Sequence, residues 1–216
     1  MTIPGSAAGR CPESGFTLLE MLVVLALLAV LTGTAVLAGR GAATGPAVQA
    51  AQRQLASLVA VARAQAAVEQ TEVRLLVRAM NPGEHRGQAL QIVRQEGAQW
   101  RATAPSVMLP AGVGVVPPEL ATRGDWPATD WAGPVTLDLG AQMETWGPVY
   151  WLSFTPGGGV DGREGISTTA GQSLRLAVGP VRATPTGGEW ENAAAVRGLL
   201  VRPSGGTTAI DDANAW

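Results

Sequence analysis

The chain has 216 residues, a formal net charge of −2 and 15% charged side chains. Its 15 basic residues are all arginine and are not gathered into a run, so nothing marks a basic patch for nucleic acid. With one cysteine (Cys11) and one histidine (His85), a Cys/His zinc site is excluded. A Ser/His/Asp triad would have to use His85, and no Gly-x-Ser-x-Gly turn presents a nucleophile.

Residues 1–15 form a small polar leader. From residue 16 to residue 38 the only ionisable side chain is Glu20. About 20 mostly apolar residues cross a hydrocarbon core as a helix. A carboxylate near the centre of such a helix costs roughly 2.5–3.5 kcal/mol on insertion scales unless it is paired, neutralised or at the interface. A Glu20 that snorkels to water is the plain reading. A cut after Gly15 gives a sharper one. Phe16 would gain a free α-amine, and residues four apart share a helix face, about 6 Å from one another. Two such helices could pair amine with carboxylate between chains, each offsetting the other's cost of burial.

Arg40 is the first charge beyond the apolar run. Gly39, Gly41 and Gly45-Pro46 make a flexible joint, and Pro46 suits the first turn of a resumed helix. The spacing predicts that helix over residues 47–70, with Val48, Ala51, Leu55, Leu58 and Ala62 as its apolar stripe. After Gln70 the period changes to that of strands. Strands are expected over residues 73–78 and 89–94, joined through Asn81-Pro82-Gly83 and ending at Gly97. Residues 99–103 extend this sheet, and 113–116 form a short apolar run. Residues 119–134, with Trp126 and Trp131 among Gly, Pro and Asp, read as a long loop. Its two tryptophans are candidate contacts for a partner subunit, because Trp is enriched at interface hot spots. Further strands fall at 135–139, 149–154, 173–178 and 198–202, and residues 210–216 read as an acidic frayed end. The 28 glycines and 15 prolines fit a turn-rich β-domain.

Other chemistry finds little support. The Gly-rich stretch Gly157-Gly158-Gly159-Val160-Asp161-Gly162 lacks the Lys-Ser/Thr and the helix of a phosphate cradle. Asp161, Glu164, Asp211 and Asp212 lack the spacing of a calcium loop and read as solvated turn carboxylates. Cys11 follows no apolar signal core, which argues against lipid attachment. A secretory signal cut near Thr32-Gly33-Thr34-Ala35 leaves the continuing apolar residues and Glu20 without a role.

Gly15-Phe16-Thr17-Leu18-Leu19-Glu20 resembles the processing site of type IV pilins and type II secretion pseudopilins. The resemblance implies cleavage between Gly15 and Phe16 by prepilin peptidase, N-methylation of Phe16, and Glu20 as the assembly residue. One departure is visible: Glu13 and Ser14 stand where the family usually has a basic residue, and Arg10 is the only basic side chain of the leader. Further along, Phe154-Thr155-Pro156-Gly157-Gly158 and Gly198-Leu199-Leu200-Val201-Arg202-Pro203-Ser204-Gly205-Gly206 are similar to features of the H-type (GspH) and FimT-like minor members.

The implied fold is α+β: a long N-terminal helix, its first half transmembrane, packed on antiparallel β-sheet. The implied organisation is a leader (1–15), a transmembrane assembly helix (16–38), the soluble half of that helix (39–70) and a periplasmic β-rich domain (71–216). The implied function is a minor pseudopilin near the tip of a type II secretion pseudopilus. Such a subunit is anchored once in the bacterial inner membrane, with its C-terminal domain in the periplasm. It catalyses nothing and needs no cofactor or metal. Its partners would be other pseudopilins, prepilin peptidase, the inner-membrane secretion platform and secreted cargo. The alternative is a FimT-like minor pilin of type IV pili, serving pilus assembly or DNA uptake. DNA binding would need clustered basic residues, whereas the final strand offers Arg197 and Arg202 and is followed by Asp211 and Asp212. A signal-anchored periplasmic enzyme is a third reading, against which the missing catalytic set argues.

Overall fold

The computed structural model describes residues 18–19, 21–27, 44–79, 87–124, 126–137, 147–161, 172–184 and 187–212. The chain divides into two units, Met1–Ala42 and Ala43–Trp216. In the first, residues 18–19 and 21–27 are helical. Their large apolar side chains are all exposed, from 46% at Val24 to 85% at Leu18. Among the described residues, no helix is long and apolar enough to cross a membrane.

The second unit begins with helix α1, Thr44–Glu69. Gly45-Pro46 lies in its first turn, where a missing N–H costs nothing. It ends at Gln70, which takes a left-handed φ of 53°. The Gln70 side chain turns back and donates to Ala67 O at 2.6 Å, satisfying a carbonyl left over at the helix end. The buried stripe is Val48, Ala51, Leu55, Val59, Ala62 and Ala66. Val59, and not Leu58, holds the middle position. Steps of three and four that average the 3.6-residue repeat run through 55, 59, 62 and 66, which leaves Leu58 on the flank and half-buried.

One sheet has seven strands: β1 Val73–Arg78, β2 Ala89–Glu96, β3 Gln99–Ala102, β4 Val107–Met108, β6 Ala132–Thr136, β7 Pro148–Phe154 and β8 Val160–Asp161. Its order is β3-β2-β1-β7-β6, with β4 on β2 and β8 on β7. Strand β1 is central and antiparallel to both neighbours, with Leu75 opposite Ile92 on one side and Leu152 on the other. The β2–β3 hairpin turns at Gly97, whose φ of 65° suits glycine. A Cβ placed there would meet nothing within 4 Å.

The second sheet has five strands: β5 Val113–Val115, β9 Leu174–Thr184, β10 Gly187–Trp190, β11 Arg197–Val201 and β12 Thr207–Ile210. Its order is β10-β9-β11-β12, with β5 on β9. Helix α1 contacts strands of both sheets. One cluster joins the helix stripe to Val73, Leu75, Val77, Leu152 and Phe154 of the first sheet and to Leu174, Leu176, Val178 and Leu199 of the second. Full burial of each large side chain contributes about 1.5–3 kcal/mol. The buried Gln52 side chain donates to Gly198 O at 2.7 Å and Ile210 O at 3.2 Å, tying α1 to β11 and β12. The architecture is therefore α+β, a helix on antiparallel sheets.

Candidate functional site

Two regions bear on function: the apolar N-terminal segment and the face formed by residues 116–131. Gly15, Phe16 and Glu20 lie outside the described residues, as do His85 and the expected turn Asn81-Pro82-Gly83. On either side of Glu20, residues 18–19 and 21–27 are helical, and every large apolar side chain among them is exposed. A helix of that kind ordinarily becomes buried, in lipid or among other chains.

Residues 119–134 are not one long loop. They contain a 3-10 helix, Pro118–Arg123, and the start of β6. Trp131 is corrected as an exposed contact: it is 3% exposed and belongs to the main core. The reason lies beside it. Asp130 N donates to Arg175 O at 2.8 Å, and the Asp130 carboxylate accepts from Arg175 N at 2.8 Å, which draws the chain inward onto β9. Trp126 is half-buried and meets Trp190 edge to face, with ring centroids 5.7 Å apart and planes at 70°. Both rings cover a small separate cluster of Val116, Leu120, Ala177 and Val196. Strand alternation explains the separation. Leu174, Leu176 and Val178 point to the main core, and Ala177 and Gly179 point the other way.

Several other polar groups among the described residues pair with one another. Tyr150 OH donates to the Glu119 carboxylate at 2.9 Å. Burial, reinforced by Glu119, raises the Tyr150 hydroxyl well above its ordinary value. The Arg74 guanidinium lies 4.2 Å from the Trp100 ring centroid and 5.5 Å from that of Trp151, and it pairs with Glu72 at 2.9 Å. At the surface, hydrogen bonds to Glu69 and Glu96 raise Arg94, and the bond from Arg94 lowers Glu96.

The Gly-rich stretch after β7 is a hairpin turn to β8 that spends its backbone groups internally. Thr155 N donates to Gly159 O at 2.8 Å, and Gly158 N to Thr155 O at 2.7 Å. A second hairpin tip, between β11 and β12, comes against the same helix residue. Arg63 Nε donates to Gly158 O at 3.2 Å. A Cβ on Gly205 would lie 2.6 Å from Arg63 Cδ and 2.6 Å from Gly158 O, so only glycine fits. An open depression of about 280 Å³ runs along this junction, lined by Ala60, Arg63, Ala64, Ala67 and the two Gly-rich tips. Among the described residues no group of three His, Cys, Asp or Glu could hold a metal ion.

Sequence reasoning missed Trp190 as the partner of Trp126 and Gly179 as the floor beneath it. A weak signal existed for the second, a lone glycine within a β-branched strand pattern.

Residues 10–36 match the family described as the prokaryotic N-terminal methylation motif. No curated protein matches the chain. A solved structure, the minor pseudopilin EpsH from the type 2 secretion system of Vibrio cholerae, is similar at 8% identity and a TM-score of 0.39, over 76% of this chain and 96% of that one. That likeness is too distant to carry an argument. The matched stretch includes Gly15, Phe16 and Glu20.

Proposed function

We propose that the chain is a minor pseudopilin of a type II secretion system, a structural subunit without a reaction of its own. The carrying observation is the methylation motif over residues 10–36. The α+β body agrees with it, with its helix on antiparallel sheets and a hairpin closing each Gly-rich tip. In this reading prepilin peptidase cuts between Gly15 and Phe16, and Phe16 is N-methylated. The apolar segment sits in the inner membrane with the β-body in the periplasm. After assembly it packs with the corresponding helices of other pseudopilins, above the inner-membrane platform that drives secreted cargo outward. Glu20 meets the α-amine of a neighbouring chain, so each charge supplies the other's partner in a medium of low dielectric.

The test is the intact mass and N-terminal sequence of the chain from its native membrane. The expected start is N-methyl-Phe16, with Gly15→Ala leaving the full-length precursor. A start at Met1, a cut near Ala35, or normal processing of Gly15→Ala would overturn the proposal.

A further inference from the structure

Residues 117–128 leave the second sheet and return to it at nearly the same point. The Thr129 hydroxyl donates to Val116 O at 3.1 Å across this neck. Both feet are fixed to β9: Val116 N donates to Ala177 O at 2.9 Å, and Asp130 N to Arg175 O at 2.8 Å. Beyond the second foot, Trp131 enters the main core. A compact surface segment of this length with joined ends is an Ω-loop.

The body of the loop is held differently from its feet. Inside it, the 3-10 turn rests on two long backbone bonds, Leu120 N to Pro117 O at 3.2 Å and Gly124 N to Ala121 O at 3.3 Å. Leu120 and Trp126 lie on the small cluster, which is separate from the main core. Gly179 lies under this cluster: a Cβ there would press on Val196 at 3.1 Å and come into ordinary contact with the Trp126 ring at 3.6 Å. The Trp126–Trp190 edge-to-face pair and the Tyr150–Glu119 hydrogen bond are outer contacts that close the loop down.

We infer that the described residues 117–124 and 126–128 act as a lid that opens about the Thr129–Val116 neck while the main core stays folded. Opening breaks the small cluster, these outer contacts and the two weak 3-10 bonds of Leu120 and Gly124 that the cluster supports, and leaves the bonds of both feet to β9 in place. It uncovers Ala177 and Gly179 on the outer face of β9. Segments held by few buried apolar contacts open sub-globally, at lower free energy than the whole domain. The inference does not depend on the N-terminal segment, so it stands or falls separately from the proposed function.

Hydrogen exchange followed residue by residue on the full chain in detergent, across low denaturant concentrations, tests it. The Leu120 and Gly124 amides are expected to be protected, yet to exchange about 100-fold faster than those of Val116, Asp130 and β9, with rates insensitive to denaturant. Tyr150→Phe keeps the ring and removes one latch bond, and should speed Leu120 and Gly124 about fivefold while leaving β9 unchanged. Trp190→Ala should do the same by a similar factor. If Trp190→Ala does not fold, Tyr150→Phe decides. Exchange of the loop at the rate and denaturant dependence of β9 would overturn the lid, as would no protection in the wild type. Equal acceleration of loop and β9 in the variants would overturn it too.

Discussion

Both helical regions of this chain are apolar, but they are apolar in different ways. In α1 the large buried side chains keep to one stripe that rests on two sheets. In residues 18–27 every described large side chain is exposed. The first pattern has its apolar partner in the two sheets, and the second leaves its apolar surface uncovered among the described residues. Polar groups repeat the contrast. Gln52 and Tyr150 are buried in the body beside internal acceptors. Glu20 is the one carboxylate of a 23-residue apolar run (residues 16–38) that contains no basic side chain.

The contrast can be broken at Glu20 first. On the proposed function, Glu20→Ala should leave the chain processed and in the membrane but abolish its co-purification with pseudopilins in cross-linked fibres; undiminished incorporation would show that this carboxylate is merely interfacial. A smaller effect separates the two helices by stability. Leu55→Ala should destabilise the body by about 2–5 kcal/mol in denaturant melts, because a buried side chain leaves a cavity. Leu22→Ala, at an exposed position, should change it by less than about 0.5 kcal/mol. Equal effects would mean that the N-terminal segment packs on the body.

The smallest effect concerns Tyr150, the only tyrosine. Its hydroxyl is raised by burial and by Glu119. The folded state therefore holds this proton where the unfolded state has lost it. The stabilisation is fully present below about pH 10, the unfolded value, and is lost as pH rises through the folded value, at most about 1.4 kcal/mol per pH unit. Phenolate absorbance in the native protein should lag behind free tyrosine, and Tyr150→Phe should remove that part of the alkaline loss. Titration at the free-tyrosine value would mean that the Glu119 contact is open in solution.

Much of the body was legible from local pattern. Strand β1 falls at 73–78, as its apolar run requires, and β2, β7, β9 and β11 overlap the other apolar runs. The strands that escaped notice are at most four residues long, too short for an alternating pattern to show. Strand β10 is Gly187-Gly188-Glu189-Trp190 and β12 is Thr207-Thr208-Ala209-Ile210, both defined by pairing with a neighbour. Trp131 was misread for a related reason. Pro and Asp nearby signal a surface loop, but the Asp130 side chain binds the backbone of β9, 45 residues away, and pulls its neighbour indoors. Composition around a residue describes its local chain, whereas burial depends on a strand that arrives later. The Gly-Phe-x-x-x-Glu motif could be read directly because all its parts lie within six residues.

The Arg63 junction also decides where this protein can be handled. Two hairpin tips, one from each sheet, close over a single arginine side chain with no room for a methyl group at Gly205. Added residues at either tip would prise the sheets from the helix together. The β2–β3 turn is the opposite case, since a Cβ at Gly97 meets empty space. An epitope or a dye-bearing insertion between Gly97 and Ala98 therefore stands clear of the body and leaves both ends of the chain untouched.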